Sequence, residues 1–334
     1  MKRTAYLIGL LAVSTAIFGC KKNEIEARNK DLTGSFIKRT VAPLIVGEKI
    51  DFAYGMGTKS GKLSAVQVTA SIAGATGTLW EMVTHRTVNA ADVTTLVARN
   101  SQTNGNLSTV SIIDTNATTL RYAYITPEAA RGQKVSFEFA VTNSAGDRSS
   151  VRTPEYQISA MDMKRSIPLV GTAAGARYFS IADMRAYTLA EVEAGNLSAK
   201  IDFVYAYAPT ITPGTAAYTY GHSLVSPAAA GFLPNGFTIP AAWTRKSTAM
   251  EKKIGTWVYD GQLKGDANSN IYIDDIDLQK QNFDGSANYA ITLTNDGSVF
   301  MKTADGRYTA FVYINSVNNS TSTAVISLKR LQNF

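Results

Sequence analysis

Apolar and polar positions alternate with a period of two along most of the chain. Ile50, Phe52 and Tyr54 alternate with Asp51 and Ala53, and Val66, Val68 and Ala70 alternate with Gln67 and Thr69. Val135, Phe137, Phe139 and Val141 alternate with Ser136, Glu138, Ala140 and Thr142. Such a period sets one face of a strand against a core and the other in water. Residues 143–147, Asn-Ser-Ala-Gly-Asp, read as a turn, and residues 151–158 return as a strand. The spacing predicts an immunoglobulin-like β-sandwich over residues 39–160. The buried tryptophan and paired cysteines of antibody domains are not read in this stretch, so the assignment rests on strand spacing. Thr126-Pro127-Glu128 with Gly132 predicts a short helical turn, with threonine as cap and glycine past the end.

Residues 159–168 read as a junction, and a second β-rich unit is predicted over residues 165–334. Residues 200–205, Lys-Ile-Asp-Phe-Val-Tyr, echo residues 49–54, Lys-Ile-Asp-Phe-Ala-Tyr, which raises a duplicated domain as one reading. Thr188 and Glu191 form a capping-box pattern with Gly195 beyond it, and Thr248 to Glu251 form a second. Each predicts a short helix. Asp296-Gly297 and Asp305-Gly306 predict hairpin turns. Tyr308, Ala310, Val312 and Ile314 alternate, and Ala324, Ile326 and Leu328 form a last strand. The predicted class is all-β, with an immunoglobulin-like sandwich followed by a mostly-β domain carrying a few short helices.

The first residues carry a different pattern. Lys2 and Arg3 precede an apolar run over residues 5–16, and Ile17-Phe18-Gly19-Cys20 follows. A basic start and a short apolar stretch before a small residue read as a secretory signal over residues 1–19. The run is too short to span a bilayer, which needs roughly 20 apolar residues. Cys20 is the only cysteine, and its setting resembles the bacterial lipobox, with Phe18 larger than usual for its slot. Acyl chains such as palmitate on Cys20 would hold the protein at a membrane, since two or more chains anchor stably. The polar, mixed-charge residues 20–38 read as a lipidated tether. Lys21 rather than aspartate follows the cysteine, which favours the outer membrane, on the cell surface or the periplasmic face. No disulfide is available, so the core alone holds the body together. The leader takes Lys2 and Arg3 out of a net charge of +7, and no basic run tracks a nucleic-acid backbone. A nucleic-acid partner is therefore excluded from the expectations.

Candidate chemistry is sparse. Only two histidines, His85 and His222, are present, and neither accompanies a Gly-x-Ser-x-Gly elbow or a His-Glu-x-x-His helix. Oxygen side chains at Asp266, Asn268, Asn270, Asp274 and Asp277 have the spacing of a calcium loop. Ile271 stands where such a loop needs glycine, and an aspartate stands at its last position. The competing reading is a polar turn feeding a strand over residues 271–273. On a strand, Asp275 and Asp277 would share a face with about 7 Å between Cα atoms, a spacing open to glycoside hydrolysis. The aromatic supply suits binding: Trp80, Trp243 and Trp257, with Tyr205, Tyr207, Tyr218 and Tyr220. Trp243, Trp257, Tyr220 and His222 are the candidate ligand-binding residues, with no catalytic residue and no cofactor expected beyond a possible Ca²⁺.

Residues 47–54, 70–77, 178–183, 200–203, 221–227, 272–277 and 302–306 together resemble a family of two-domain Bacteroidetes lipoproteins. The resemblance covers nearly the whole mature chain. It implies an accessory outer-membrane lipoprotein encoded near starch-utilisation-type uptake systems, with a TonB-dependent transporter as partner and a glycan as ligand. The family supplies no catalytic residue to carry over. The alternatives are an envelope structural or protein-interaction module without a small ligand, and a surface hydrolase that uses the aspartates.

Overall fold

The computed structural model describes residues 31–212, 217–253, 259–266 and 268–333. The leader, Cys20, most of the tether and Trp257 lie outside the described residues.

The first domain is a two-sheet sandwich. One sheet has the strand order Leu32–Lys38, Lys49–Thr58, Ala117–Ile125 and Leu79–Trp80. The other runs Arg148–Arg152, Phe137–Asn143, Leu63–Ala70, Leu107–Ile112 and Ala98–Asn104. Alternation delivers Phe52, Tyr54, Phe137 and Phe139 to one core. Phe52 and Phe137 meet edge-on at 4.9 Å, and Tyr54 stacks on Phe139 at 5.2 Å. Aromatic pairs of this kind contribute about 0.5–1.5 kcal/mol beyond their area burial.

Three expectations for this half change. Trp80 is a buried core tryptophan, 5.1 Å from the Tyr122 ring, and its indole N–H donates to the Ser108 carbonyl. It sits in a strand of only two residues, where no alternation marks it. Leu32–Lys38, read as the end of the tether, is an edge strand paired along Lys49–Thr58. Its Phe36 stacks on Phe139 at 5.6 Å, and that burial outweighs the polar text around it. The turn Glu128–Ala130 forms, but Pro127 takes the cap position and the Thr126 hydroxyl makes no hydrogen bond.

The second domain stacks two five-stranded antiparallel sheets. One runs Asp162–Val170, Thr323–Gln332, Tyr308–Asn318, Ser298–Lys302 and Ala249–Lys253. The other runs Arg185–Tyr187, Tyr178–Ser180, Phe203–Ile211, Tyr218–Val225 and Tyr289–Leu293. Leu169, Phe203, Leu224, Val312 and Ile326 fill the space between them. Both outer faces are also covered, so residues 309–314 are buried on both sides of their strand. Phe311 and Tyr313 point away from the inter-sheet core, into a layer made with Leu263, Ile273 and Leu278. That layer comes from the short helices Gly261–Lys264 and Asp275–Lys280 and the segment between them. At its centre lie Lys329 and Asp260, both fully buried and 2.7 Å apart.

The helix Leu189–Ala194 starts with the expected capping box and ends at Gly195. Thr248 to Glu251 does not start a helix. Ala249–Lys253 is a strand paired with Ser298–Lys302, and burial of Met250 between the sheets overrides the local box. Asp305-Gly306 closes a hairpin, whereas Asp296-Gly297 carries the chain from one sheet to the other. The echoed segments occupy different places. Lys49–Thr58 lies between the preceding strand, Leu32–Lys38, and the distant Ala117–Ile125, whereas Phe203–Ile211 lies between Tyr178–Ser180 and the following strand, Tyr218–Val225, and Lys200 belongs to a 3₁₀ turn. The resemblance between them is therefore not a shared topology.

The junction is short and bonded. The strand Asp162–Val170 runs through most of the residues read as a linker. Arg165 clamps Glu48 with two hydrogen bonds, at 2.9 and 2.8 Å. The Ser159 hydroxyl donates to Asp275, and the Gln262 amide donates to the Pro43 carbonyl. Among the described residues no helix is long and apolar enough to cross a membrane.

Candidate functional site

Tyr218–Val225 pairs on both sides, and its pairing with Tyr289–Leu293 slips between His222 and Leu224. Gly221, at φ +61°, supplies the left-handed residue on one side of the slip. Thr292, at φ +55°, faces it across the bulge. A β-branched residue in that region is a genuine outlier, held only where its surroundings over-determine it. Lys252 provides that hold. Its ammonium donates to the Thr292 hydroxyl and to the Ile291 carbonyl, each at 2.7 Å. Lys252 makes no ion pair among the described residues, and burial lowers its pKa from the ordinary lysine value.

The bulge turns His222 into a buried position, 3 % exposed, between Tyr205 and Asn319. Its Nδ1 lies 2.6 Å from the Tyr205 hydroxyl and its Nε2 lies 2.8 Å from Asn319 Oδ1. The buried Tyr205 phenol has no other acceptor among the described residues, so it donates to Nδ1. Nε2 then carries the proton and donates to Asn319. This neutral tautomer agrees with the direction of the His222 pKa, lowered by burial against an opposing bond to Asn319. The Tyr207 ring lies 4.5 Å from the imidazole and is half-exposed.

Above this relay lies an open groove of about 610 Å³. Tyr207 and Pro209 form one wall, and Thr292, Thr294, Asn295 and Asn319 form the other. No charged side chain lines it among the described residues. Its lining is one aromatic face, the apolar side chains of Pro209, Leu293 and Val317, and a set of hydroxyls and amides, which suits capture of a polyhydroxylated ring rather than acid–base work. Two smaller clefts differ. One, of about 210 Å³, lies at the domain junction, where Glu48 and Arg165 are bonded to each other. The other, of about 340 Å³, brings Asp183, Asp202 and Asp305 beside Lys200, Lys246 and Arg307, and there Lys200 pairs with Asp183 and Lys246 with Asp202.

Of the residues singled out from sequence, His222 belongs to the groove. Tyr220 is fully buried on the opposite side of its strand, in the layer with Trp243. Trp243 packs edge-on against Tyr178 at 5.1 Å and is 9 % exposed, so neither side chain is open to a ligand. Trp257 lies outside the described residues.

The calcium candidates do not converge. Asp266 accepts from the Tyr259 hydroxyl and the Asn268 N–H, and Asn270 is exposed. Asp274 and Asp277 form a reciprocal capping box on the helix Asp275–Lys280. Residues 271–273 are not a strand, and Asp275 and Asp277 are not a face-sharing strand pair. Asp275 bonds Ser159 at the junction, and Asp277 bonds the Asp274 N–H. No group of three or more His, Cys, Asp or Glu side chains placed to hold a metal ion occurs among the described residues. His85 pairs with Glu81 at 2.6 Å on the first domain, far from the groove in the chain.

Sequence reasoning missed Lys252, Thr292, Asn295 and Asn319. The asparagines stand in runs that look like ordinary turn text, and no sequence rule marks a threonine as left-handed.

Residues 29–158 match the family described as Domain of unknown function (DUF4466), and residues 159–333 match Domain of unknown function (DUF8576). A crystal structure of a DUF4466 family protein from Parabacteroides merdae ATCC 43184 is 34% identical, with a TM-score of 0.82. The match covers 91% of this chain and 99% of that one. The major pilin subunit BcpA of Bacillus cereus gives 11% identity, covers 57% of this chain and 58% of its own, and has a TM-score of 0.28. A family 123 glycoside hydrolase from Clostridium perfringens gives 11% identity, covers 39% of this chain and 27% of its own, and has a TM-score of 0.24. None of the curated proteins matches the chain. The chain belongs to the DUF4466 family, as a two-domain β protein whose second domain is of the DUF8576 type.

Proposed function

We propose that the protein is a non-enzymatic outer-membrane lipoprotein that captures a glycan in the groove beside His222. The observation that carries this reading is the groove's lining. A half-exposed tyrosine face and a set of hydroxyls and amides meet over a strained backbone held by a partly buried lysine. Aromatic faces take the apolar side of a sugar ring, and fixed polar groups set its orientation. The leader and Cys20 support attachment to the membrane, on the surface or the periplasmic face. An accessory place beside a TonB-dependent transporter follows from the resemblance of the chain to lipoproteins of uptake systems. The aspartates considered for hydrolysis are occupied as helix caps and junction bonds, which favours binding over catalysis.

Affinity electrophoresis of the purified protein through gels holding acidic and neutral polysaccharides tests the reading. Retardation by at least one polymer is expected, with loss of retardation in a Tyr207→Ala variant of unchanged melting temperature. Mobility unaffected by every polymer would reject glycan capture.

A further inference from the structure

The groove's hydrogen-bonding capacity is lopsided. Asn295 Oδ1 accepts the Val317 N–H at 2.8 Å, and Asn319 Oδ1 accepts from His222 Nε2 at 2.8 Å. Each amide therefore has its acceptor oxygen engaged within the protein. Each NH₂ group makes no hydrogen bond among the described residues, and both side chains are exposed at the groove. The orientation of Asn295 is fixed, since a backbone N–H bonds only to the oxygen end of an amide. That of Asn319 follows from the Tyr205–His222 relay. The groove thus offers four N–H donors whose geometry is set before a ligand arrives, which lowers the entropic cost of binding.

Charge points the same way. No carboxylate lines the groove among the described residues. The nearest in sequence, Asp296, is taken up by Tyr313 and by Lys264 at 3.0 Å. Lys252 sits directly behind Thr292, bonded to oxygens that carry no formal charge. Its neighbours on the strand, Glu251 and Lys253, pair with each other. A partly buried cation with no counter-ion among the described residues, beside a wall of donors, favours a ligand that is acceptor-rich and negative.

We propose that the groove selects an anionic sugar, one bearing a carboxylate or a sulfate, over a neutral one. The inference rests on the glycan reading of the groove and narrows it. Asn295 and Asn319 donate to the anionic oxygens, Tyr207 takes the ring face, and Lys252 supplies the field. Tyr205 and His222 are positioning residues that hold the Asn319 amide.

Binding of the purified protein to polygalacturonate, dextran sulfate and unsulfated dextran, by titration calorimetry, tests the proposal. Polygalacturonate carries the carboxylate and dextran sulfate the sulfate, and plain dextran shares the second polymer's backbone. At least one anionic polymer should bind about tenfold or more tightly than dextran, and less tightly as salt rises. Asn319→Asp and Asn295→Asp keep the side-chain shape while replacing donors by negative oxygens. Each should weaken that binding by about tenfold or more. Asn319→Ala should weaken it as well, and Tyr205→Phe should weaken it less, together with a change in the His222 ring signals seen by NMR.

Equal binding of dextran would overturn the anionic preference while leaving glycan capture intact. So would anionic binding that both Asn319 variants retain, since a general basic surface would then explain it. Binding of none of the three polymers overturns the preference, and a simultaneous failure with every other polysaccharide overturns glycan capture with it.

Discussion

Replacing Lys329 by methionine removes one member of the buried pair while keeping most of the side chain's volume. Lys329 and Asp260 are each fully buried, 2.7 Å apart, and Lys329 also donates to the Ile273 carbonyl at 2.8 Å. The variant leaves Asp260 charged in an apolar layer. Breaking a buried pair from one side costs about 3–5 kcal/mol. Asp260 still accepts N–H groups from Leu263 and Ile273, both at 2.8 Å, so the loss falls at the lower end, about 3 kcal/mol. For a domain of this size that is a fall of about 6–12 °C in melting temperature. Differential scanning calorimetry reads it directly. A Lys329→Met variant that melts within about 1 °C of wild type would refute the reasoning, since the pair would then contribute nothing net.

Gly221→Ala should destabilise by about 1–2 kcal/mol, measured by urea unfolding, because φ is +61° and a Cβ would sit 3.4 Å from Thr292 Cα. A neutral result would mean the bulge is not strained at that residue. The pH dependence has a definite sign. His222 has its folded pKa lowered by burial, so its contribution is fully present above the ordinary value of 6.5 and is lost as pH falls through the lowered one. Wild type should therefore lose more stability than His222→Gln on going from pH about 8 to about 5, and parallel curves would contradict this. Cys20→Ser should move the protein from the membrane to the soluble fraction. Continued membrane fractionation would require another anchor.

Much of the fold is legible from period-two alternation, because long half-buried strands such as Lys49–Thr58 and Phe137–Asn143 carry it plainly. Where burial is two-sided or strands are short, the signal fails. The strand Tyr308–Asn318 shows alternation, yet residues on both of its faces are buried, since Phe311 and Tyr313 serve a second layer. Trp80 sits in a strand too brief to show a period. Thr248 to Glu251 is a good local helix start overridden by pairing with Ser298–Lys302. The Asp266–Asp277 spacing was real, but those carboxylates serve caps and turns, a use with the same short-range grammar as a metal loop. His222 stood out because glycine precedes it. The groove around it did not, because it depends on a register slip and on asparagines from two separate strand ends.

Mapping the backbone amides of the ¹⁵N-labelled protein during titration with galacturonate oligomers tests the central claim most directly. Shifts should concentrate at Tyr207, Gly221, Thr294, Asn295 and Asn319, and leave the junction cleft near Glu48 and Arg165 unmoved. Shifts confined to the junction or the first domain, or none at all, would contradict the assignment of the groove as an anionic-glycan site.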